Sequence, residues 1–178
     1  LALAAAISAL PAGAAGGKKK HRPLTVKVTA KSQAALLANG GLERVQQAYR
    51  DSAFADARVV PYLDPIVDEI AAADVVVCRS GAMTVGELAA VGRAAILIPF
   101  AAATDNHQEL NARAVEHAGG AIVITEKELT PERLAFAISG IVDDPGRTAA
   151  MGMAAKTLAE PDATKKIVDL LEKIERSE

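Results

Sequence analysis

Short β-branched runs separated by helix-length amphipathic patterns constrain this chain more than any other feature. LTVKVTA (24–30) places Leu24, Val26 and Val28 on one face, the period of a strand. ARVVPYL (57–63), ADVVVC (73–78), AAILIPF (94–100) and GAIVIT (120–125) are compact apolar runs of strand length. ADVVVC is continuous, as in a strand covered on both faces. Helical patterns lie between them at about 42–55, 64–72, 83–92, 106–118, 131–142 and 144–158. The second is expected to be capped by Asp64, with Pro65 at its first position. A last helix, about 162–176, carries Ile167, Leu170, Leu171 and Ile174 at helical spacing. Strands alternating with helices predict an α/β fold, a Rossmann-like parallel sheet with helices on both faces. In such sheets ligands sit at the carboxyl ends of strands, on the loops that open the next helix.

Composition removes several function classes. The 178 residues are 51% apolar, enough for a sizeable core, but only 3% aromatic and without Trp, so base-stacking platforms are not expected. Twenty basic against 22 acidic side chains, a net charge of −2, argue against nucleic acid as a partner. A single cysteine, Cys78, excludes a disulfide framework and reads as a small core residue at a strand end. His21, His107 and His117 are too widely spaced for a histidine-built metal site. No Walker A loop, G-x-G-x-x-G, nucleophile elbow or D-x-D occurs, so no cofactor or metal is expected.

Residues 1–42 hold six basic side chains (Lys18, Lys19, Lys20, Arg22, Lys27, Lys31) and no acid. That front could meet phosphate or anionic lipid, although a solvated linker is the simpler expectation. Residues 1–17 lack the basic n-region of a signal peptide, and Pro11 with the Ala/Gly richness makes a poor membrane span. They read as the end of a helix near Pro11. The chain starts with Leu, so a truncated N-terminus is expected.

Two loops stand at the carboxyl ends of strands. Arg79-Ser80-Gly81-Ala82-Met83-Thr84-Val85-Gly86-Glu87 follows ADVVVC. Gly81 permits a tight turn, and a helix starting near Met83 aims free N–H groups and a positive dipole end at a phosphate or pyrophosphate. Thr84 could add a hydroxyl, and Glu87 could accept from a ribose diol. Equally, Ser80 could cap the helix while Glu87 complements its dipole. The second loop, Ala101 to Gln108 with Asn111 a turn later, follows AAILIPF. His107 and Gln108 can each donate and accept, which suits sugar hydroxyls. An Asp105 or Thr104 cap followed by ordinary helix-surface residues fits as well, and spacing leaves both loops open.

At these loops ADVVVCRSGAMTVGELAAVGRAAILIPF and DNHQELNA, followed by ELTPERLA and PDAT, resemble the donor-binding half of the MurG family over roughly 43–178. Those enzymes transfer N-acetylglucosamine (GlcNAc) from UDP to undecaprenyl-pyrophosphoryl-MurNAc-pentapeptide (lipid I). The resemblance implies the C-terminal domain of a GT-B glycosyltransferase: residues 1–22 a remnant helix and basic linker, residues 23–178 a UDP-GlcNAc-binding domain. It implies that Leu63, after Tyr62, holds the uracil through its backbone. Met83 and Thr84 then meet the diphosphate, Glu87 the ribose, and His107 and Gln108 the GlcNAc hydroxyls, while Arg79, Ser80 and Gly81 shape the loop.

The family's acceptor domain and its Gly-Gly-Ser-Gln-Gly-Ala loop are absent, so the catalytic base and the lipid I contacts are expected outside these residues. The family's His-Gln-Thr-Gly stretch is replaced over residues 25–42. Ala94 and Ala101 stand where relatives often have proline. The implied setting is cytoplasmic, peripheral on the inner face of a bacterial plasma membrane. A stand-alone donor-binding subunit of a split transferase and a non-catalytic nucleotide-sugar-binding module are the alternatives.

Overall fold

The computed structural model describes residues 25–27, 41–51, 57–61 and 63–176. The expected helix near Pro11, the basic residues 18–22 and Lys31, Leu24 and Val28 of the first strand, and Tyr62 lie outside them. In chain order the elements are β1 (Thr25–Lys27), α1 (Gly41–Arg50), β2 (Arg58–Val60), α2 (Ile66–Ala72), β3 (Val76–Cys78) and α3 (Ala82–Val91). Then come β4 (Ala95–Leu97), a 3-10 turn (Thr104–Asn106), α4 (His107–His117), β5 (Ala121–Val123), α5 (Pro131–Val142), α6 (Pro145–Lys156) and α7 (Ala163–Glu175).

β3, β4 and β5 form a parallel sheet in that order, with Val77, Ile96 and Ile122 in register. β1 and β2 pair in parallel as a second, two-stranded sheet. Alternation along the three-stranded sheet sends side chains to two cores. Ile96, Ile98 and Ile124 pack with Leu134, Ala137 and Ile141 of α5 and Met151 of α6 on one face. Ala95, Leu97 and Val123 pack with Ile70 of α2, Leu88 of α3, and Ala112 and Val115 of α4 on the other. The parallel sheet with helices on both faces is therefore present. Ile96, Leu97 and Ile98 are fully buried, each contributing roughly 1.5–3 kcal/mol by leaving water. ADVVVC contains β3, one of the two outer strands of this sheet among the described residues. Its valines and Cys78 divide between the two cores and are half-buried.

Local chemistry sets the helix ends. Thr130 and Asp144 cap α5 and α6 by accepting from the N–H of Arg133 (3.2 Å) and Arg147 (3.0 Å), with proline at each first helical position. α3 stops at Gly92, whose φ of 76° is a left-handed conformation that glycine adopts without a Cβ penalty. At the amino edge of the sheet α6 packs against backbone. A Cβ on Gly120 would lie 2.7 Å from Ala155 Cα, and one on Gly152 would lie 2.5 Å from the Gly92 carbonyl oxygen.

One expectation needs correction here. α2 begins at Ile66 with extended Pro65 as its cap position and no side-chain cap, so Asp64 does not cap it. Because Pro65 itself is extended (φ −74°, ψ 136°), the helix starts one residue later than expected and Asp64 lies outside the cap position. The last helix is present as expected, and the residues of its apolar stripe, Ile167, Leu170, Leu171 and Ile174, are each more than half exposed. Among the described residues no helix is long and apolar enough to cross a membrane.

Candidate functional site at the carboxyl edge of the sheet

In-register ends of β3, β4 and β5 bring three loops to one edge: Arg79–Gly81, the segment from Ile98 to Asn106, and the turn from Ile124 to Thr130. The first opens α3. Gly81 occupies the cap position in extended conformation, without a side-chain cap, and the first helical bond runs from Val85 N to Gly81 O at 3.0 Å. The N–H groups of Ala82, Met83 and Thr84 precede that bond, so α3 presents unpaired donors and its positive dipole end at the edge. Met83 is 81% exposed there, and Thr84 and Glu87 are half-buried one turn apart on the same face.

Ser80 does not cap α3. It is fully buried, and its hydroxyl turns inward to donate to the Gln108 carbonyl at 2.7 Å, while Asn111 Nδ2 donates to the Ser80 carbonyl at 3.1 Å. These two bonds fasten the start of α4 to the start of α3. Of the first loop's expected contributors, Ser80 therefore serves the loop's shape, whereas Met83, Thr84 and Glu87 face outward from it.

The second loop is folded tightly. Ala103 N donates to Phe100 O at 3.0 Å and Asn106 N to Ala103 O at 3.3 Å. Asp105 (φ 54°) and Asn106 (φ 53°) are both left-handed, a conformation that costs most side chains but that Asp and Asn tolerate. Asn106, not Asp105 or Thr104, takes the cap position of α4, again without a side-chain cap. His107 is thus the first helical residue and is exposed. Gln108 Oε1 accepts from Phe100 N at 3.0 Å, which fixes the amide plane and turns its Nε2 donor away from the loop backbone.

Arg79 occupies the middle of the three loops. Its Nη1 donates to the carbonyls of Ile98 (3.1 Å) and Pro99 (3.0 Å), its Nη2 pairs with Glu126 Oε1 (2.5 Å), and its guanidinium lies 5.5 Å from the centre of the Phe100 ring. The planar fork suits several acceptors at once. Its charge is committed to the protein, so among the described residues of these loops the α3 dipole and N–H groups are what can attract an anion.

Sequence reasoning missed Glu126. The signal was present, since it opens the loop after GAIVIT, the third strand of the same sheet. Cys78, at the end of β3, is held protonated. Burial pushes its thiol up to about 12, and the nearby Glu87 carboxylate adds to the push. It is a packed core thiol, as expected. Leu63 lies half-buried three residues after β2, on the turn that leads into α2, beyond the three cross-tied loops. Among the described residues no three His, Cys, Asp or Glu side chains converge as metal ligands.

The glycosyltransferase family 28 C-terminal domain model matches residues 22–167. Two of the similar curated proteins are UDP-N-acetylglucosamine–N-acetylmuramyl-(pentapeptide) pyrophosphoryl-undecaprenol N-acetylglucosamine transferases. That of Desulforudis audaxviator is 46% identical over 116 residues, 65% of this chain and 31% of the relative. That of Myxococcus xanthus is 43% identical over 129 residues, 72% and 33%. The chain spans about a third of the length of these relatives. Among solved structures, Acinetobacter baumannii MurG superposes with a TM-score of 0.72 at 25% identity, covering 88% of this chain and 51% of that one. The glycosyltransferase VinC, in complex with dTDP, shares the fold with a TM-score of 0.60 at 20% identity, covering 94% of this chain and 45% of that one.

Proposed function

The chain belongs to the glycosyltransferase family 28 C-terminal domain family, and on that premise we propose that it is the donor-binding part of a MurG-type transferase. Residues 23–178 bind UDP-GlcNAc, and the whole enzyme transfers GlcNAc with inversion to undecaprenyl-pyrophosphoryl-MurNAc-pentapeptide, forming lipid II for peptidoglycan. The observation that carries this reading is the joined pair of helix starts. The bonds from Ser80 and Asn111 hold the uncapped α3 terminus beside the His107–Gln108 corner, spacing a diphosphate site next to a sugar-reading site.

In this reading the diphosphate lies at the N–H groups of Ala82, Met83 and Thr84. There the α3 dipole stabilises charge that grows on the departing UDP, the task a metal performs in D-x-D enzymes. Glu87 accepts from the ribose hydroxyls, Leu63 holds the uracil through its backbone, and His107 with the Gln108 amide reads the GlcNAc hydroxyls. Arg79, Ser80 and Gly81 keep these groups in place. Uridine binding, far from the reacting carbon, orients the sugar for attack. A base must deprotonate the acceptor hydroxyl. We place that base, and the lipid I contacts, in the acceptor-binding part of the enzyme. The enzyme would then work at the cytoplasmic face of the membrane, in cell-wall growth, cell division and cell shape.

Calorimetric titration of the chain with UDP-GlcNAc, with UDP-glucose and a Glu87→Ala protein as controls, tests the assignment. Binding that prefers GlcNAc and weakens in the variant is expected. Absence of binding by a folded chain overturns it. Transfer recovered on adding a MurG-type acceptor domain in trans separates an enzyme half from a non-catalytic nucleotide-sugar-binding module.

A further inference from the structure

We propose that Glu126 is a positioning residue for sugar discrimination, holding the loop that carries His107 and Gln108 in its reading conformation; this rests on the donor-site reading above. Its carboxylate does two jobs at once. Oε1 pairs with Arg79 Nη2 at 2.5 Å, and Oε2 accepts from the backbone N–H of Ala101 at 3.3 Å. Arg79 in turn grips the carbonyls of Ile98 and Pro99. The first four residues after β4 are therefore held by a guanidinium and a carboxylate that come from the other two strand ends.

An isolated surface ion pair contributes little. This one differs in two respects. Both partners are about 30% exposed, so removing the carboxylate leaves a half-buried guanidinium without its counter-charge. The same removal deprives Ala101 N–H of its acceptor, in the loop whose left-handed Asp105 and Asn106 already lie outside the ordinary backbone basins. Ser80 and Asn111 tie the backbones of the α3 and α4 starts without Glu126; what depends on Glu126 is the segment at Phe100 and Ala101, whose Phe100 N–H orients the Gln108 side chain. Loss of Glu126 thus relaxes the sugar corner and leaves the diphosphate corner in place.

The test is calorimetry on the wild-type chain, Glu126→Ala and Glu126→Gln, each with UDP, UDP-GlcNAc and UDP-glucose. The readout is the ratio of UDP-GlcNAc to UDP-glucose affinity. In Glu126→Ala this ratio falls about tenfold, the loss expected when a charge-assisted hydrogen-bond network is opened, while UDP affinity stays within about twofold. Glu126→Gln keeps an oxygen for Ala101 but no charge for Arg79, and loses about threefold; it carries the test alone should the alanine variant not fold. An unchanged ratio, or an equal loss for all three ligands, overturns the proposal. A wild-type chain that binds UDP without sugar preference overturns the sugar-reading assignment itself, and this role for Glu126 with it, a failure visible before any variant is made.

Discussion

The two edges of the three-stranded sheet are closed by different physics. At the amino edge, α6 lies so close that glycine at 120 and 152 leaves no room for a Cβ, and the contact is backbone on backbone. At the carboxyl edge the loops stand apart and are cross-tied by directional bonds from Arg79, Ser80, Gln108, Asn111 and Glu126. Steric closure resists unfolding but offers nothing to a ligand. Polar cross-ties hold loops open around an uncapped helix start, at the expense of packing. Stability and recognition are therefore placed at opposite ends of the same strands, and substitutions at the two ends should separate them.

The largest effect is expected from Gly120→Ala. The added methyl meets Ala155 backbone, which cannot rotate away, so urea unfolding should show a loss of about 3 kcal/mol, the upper part of the usual overpacking range. UDP affinity of the folded protein should stay unchanged. A large affinity loss there would break the separation. Glu87→Ala should do the reverse. UDP binding weakens by about 2 kcal/mol through loss of a charged hydrogen-bond acceptor, while the unfolding midpoint moves little.

Ser80→Ala sharpens the comparison because this buried hydroxyl belongs to the polar edge yet touches no outward surface. It should cost about 1 kcal/mol in unfolding and reduce the preference for UDP-GlcNAc over UDP-glucose. Stability loss with intact preference would mean that the two helix starts need no tie.

The smallest effect is a pH dependence. The Cys78 thiol binds its proton more tightly in the folded chain than in the unfolded one. Its contribution is full below the ordinary thiol range near 9 and is lost as pH rises from there towards 12. Denaturant midpoints at pH 8 and pH 10 should diverge more for the wild type than for Cys78→Ala.

Much of this arrangement can be read in the residues, because burial enforces it. The β-branched runs at 73–78, 94–100 and 120–125 each contain an observed strand, and the polar loops behind the first two lie at one edge. What escaped the pattern is directional. Whether Ser80 turns outward to cap α3 or inward to the Gln108 carbonyl depends on where α4 ends up, twenty-eight residues away. Glu126 becomes meaningful only once β5 lies beside β4 and brings it to Arg79. Proline at 65 displaced the expected cap, and the pair of left-handed residues at 105 and 106 set the start of α4. The spacing of Ile167, Leu170, Leu171 and Ile174 correctly announced an apolar face. Periodicity says nothing about what covers such a face.

That uncovered face gives the molecule two tiers of cooperativity. α7 has thirteen residues and no buried side chain, and a helix of that length without a buried face is marginal in water. Its amides should exchange with deuterium orders of magnitude faster than those of α4, whose Ala112 and Val115 are locked into the core. On heating, the last helix should fray while the sheet remains intact, so far-UV ellipticity should begin to fall before the core gives way.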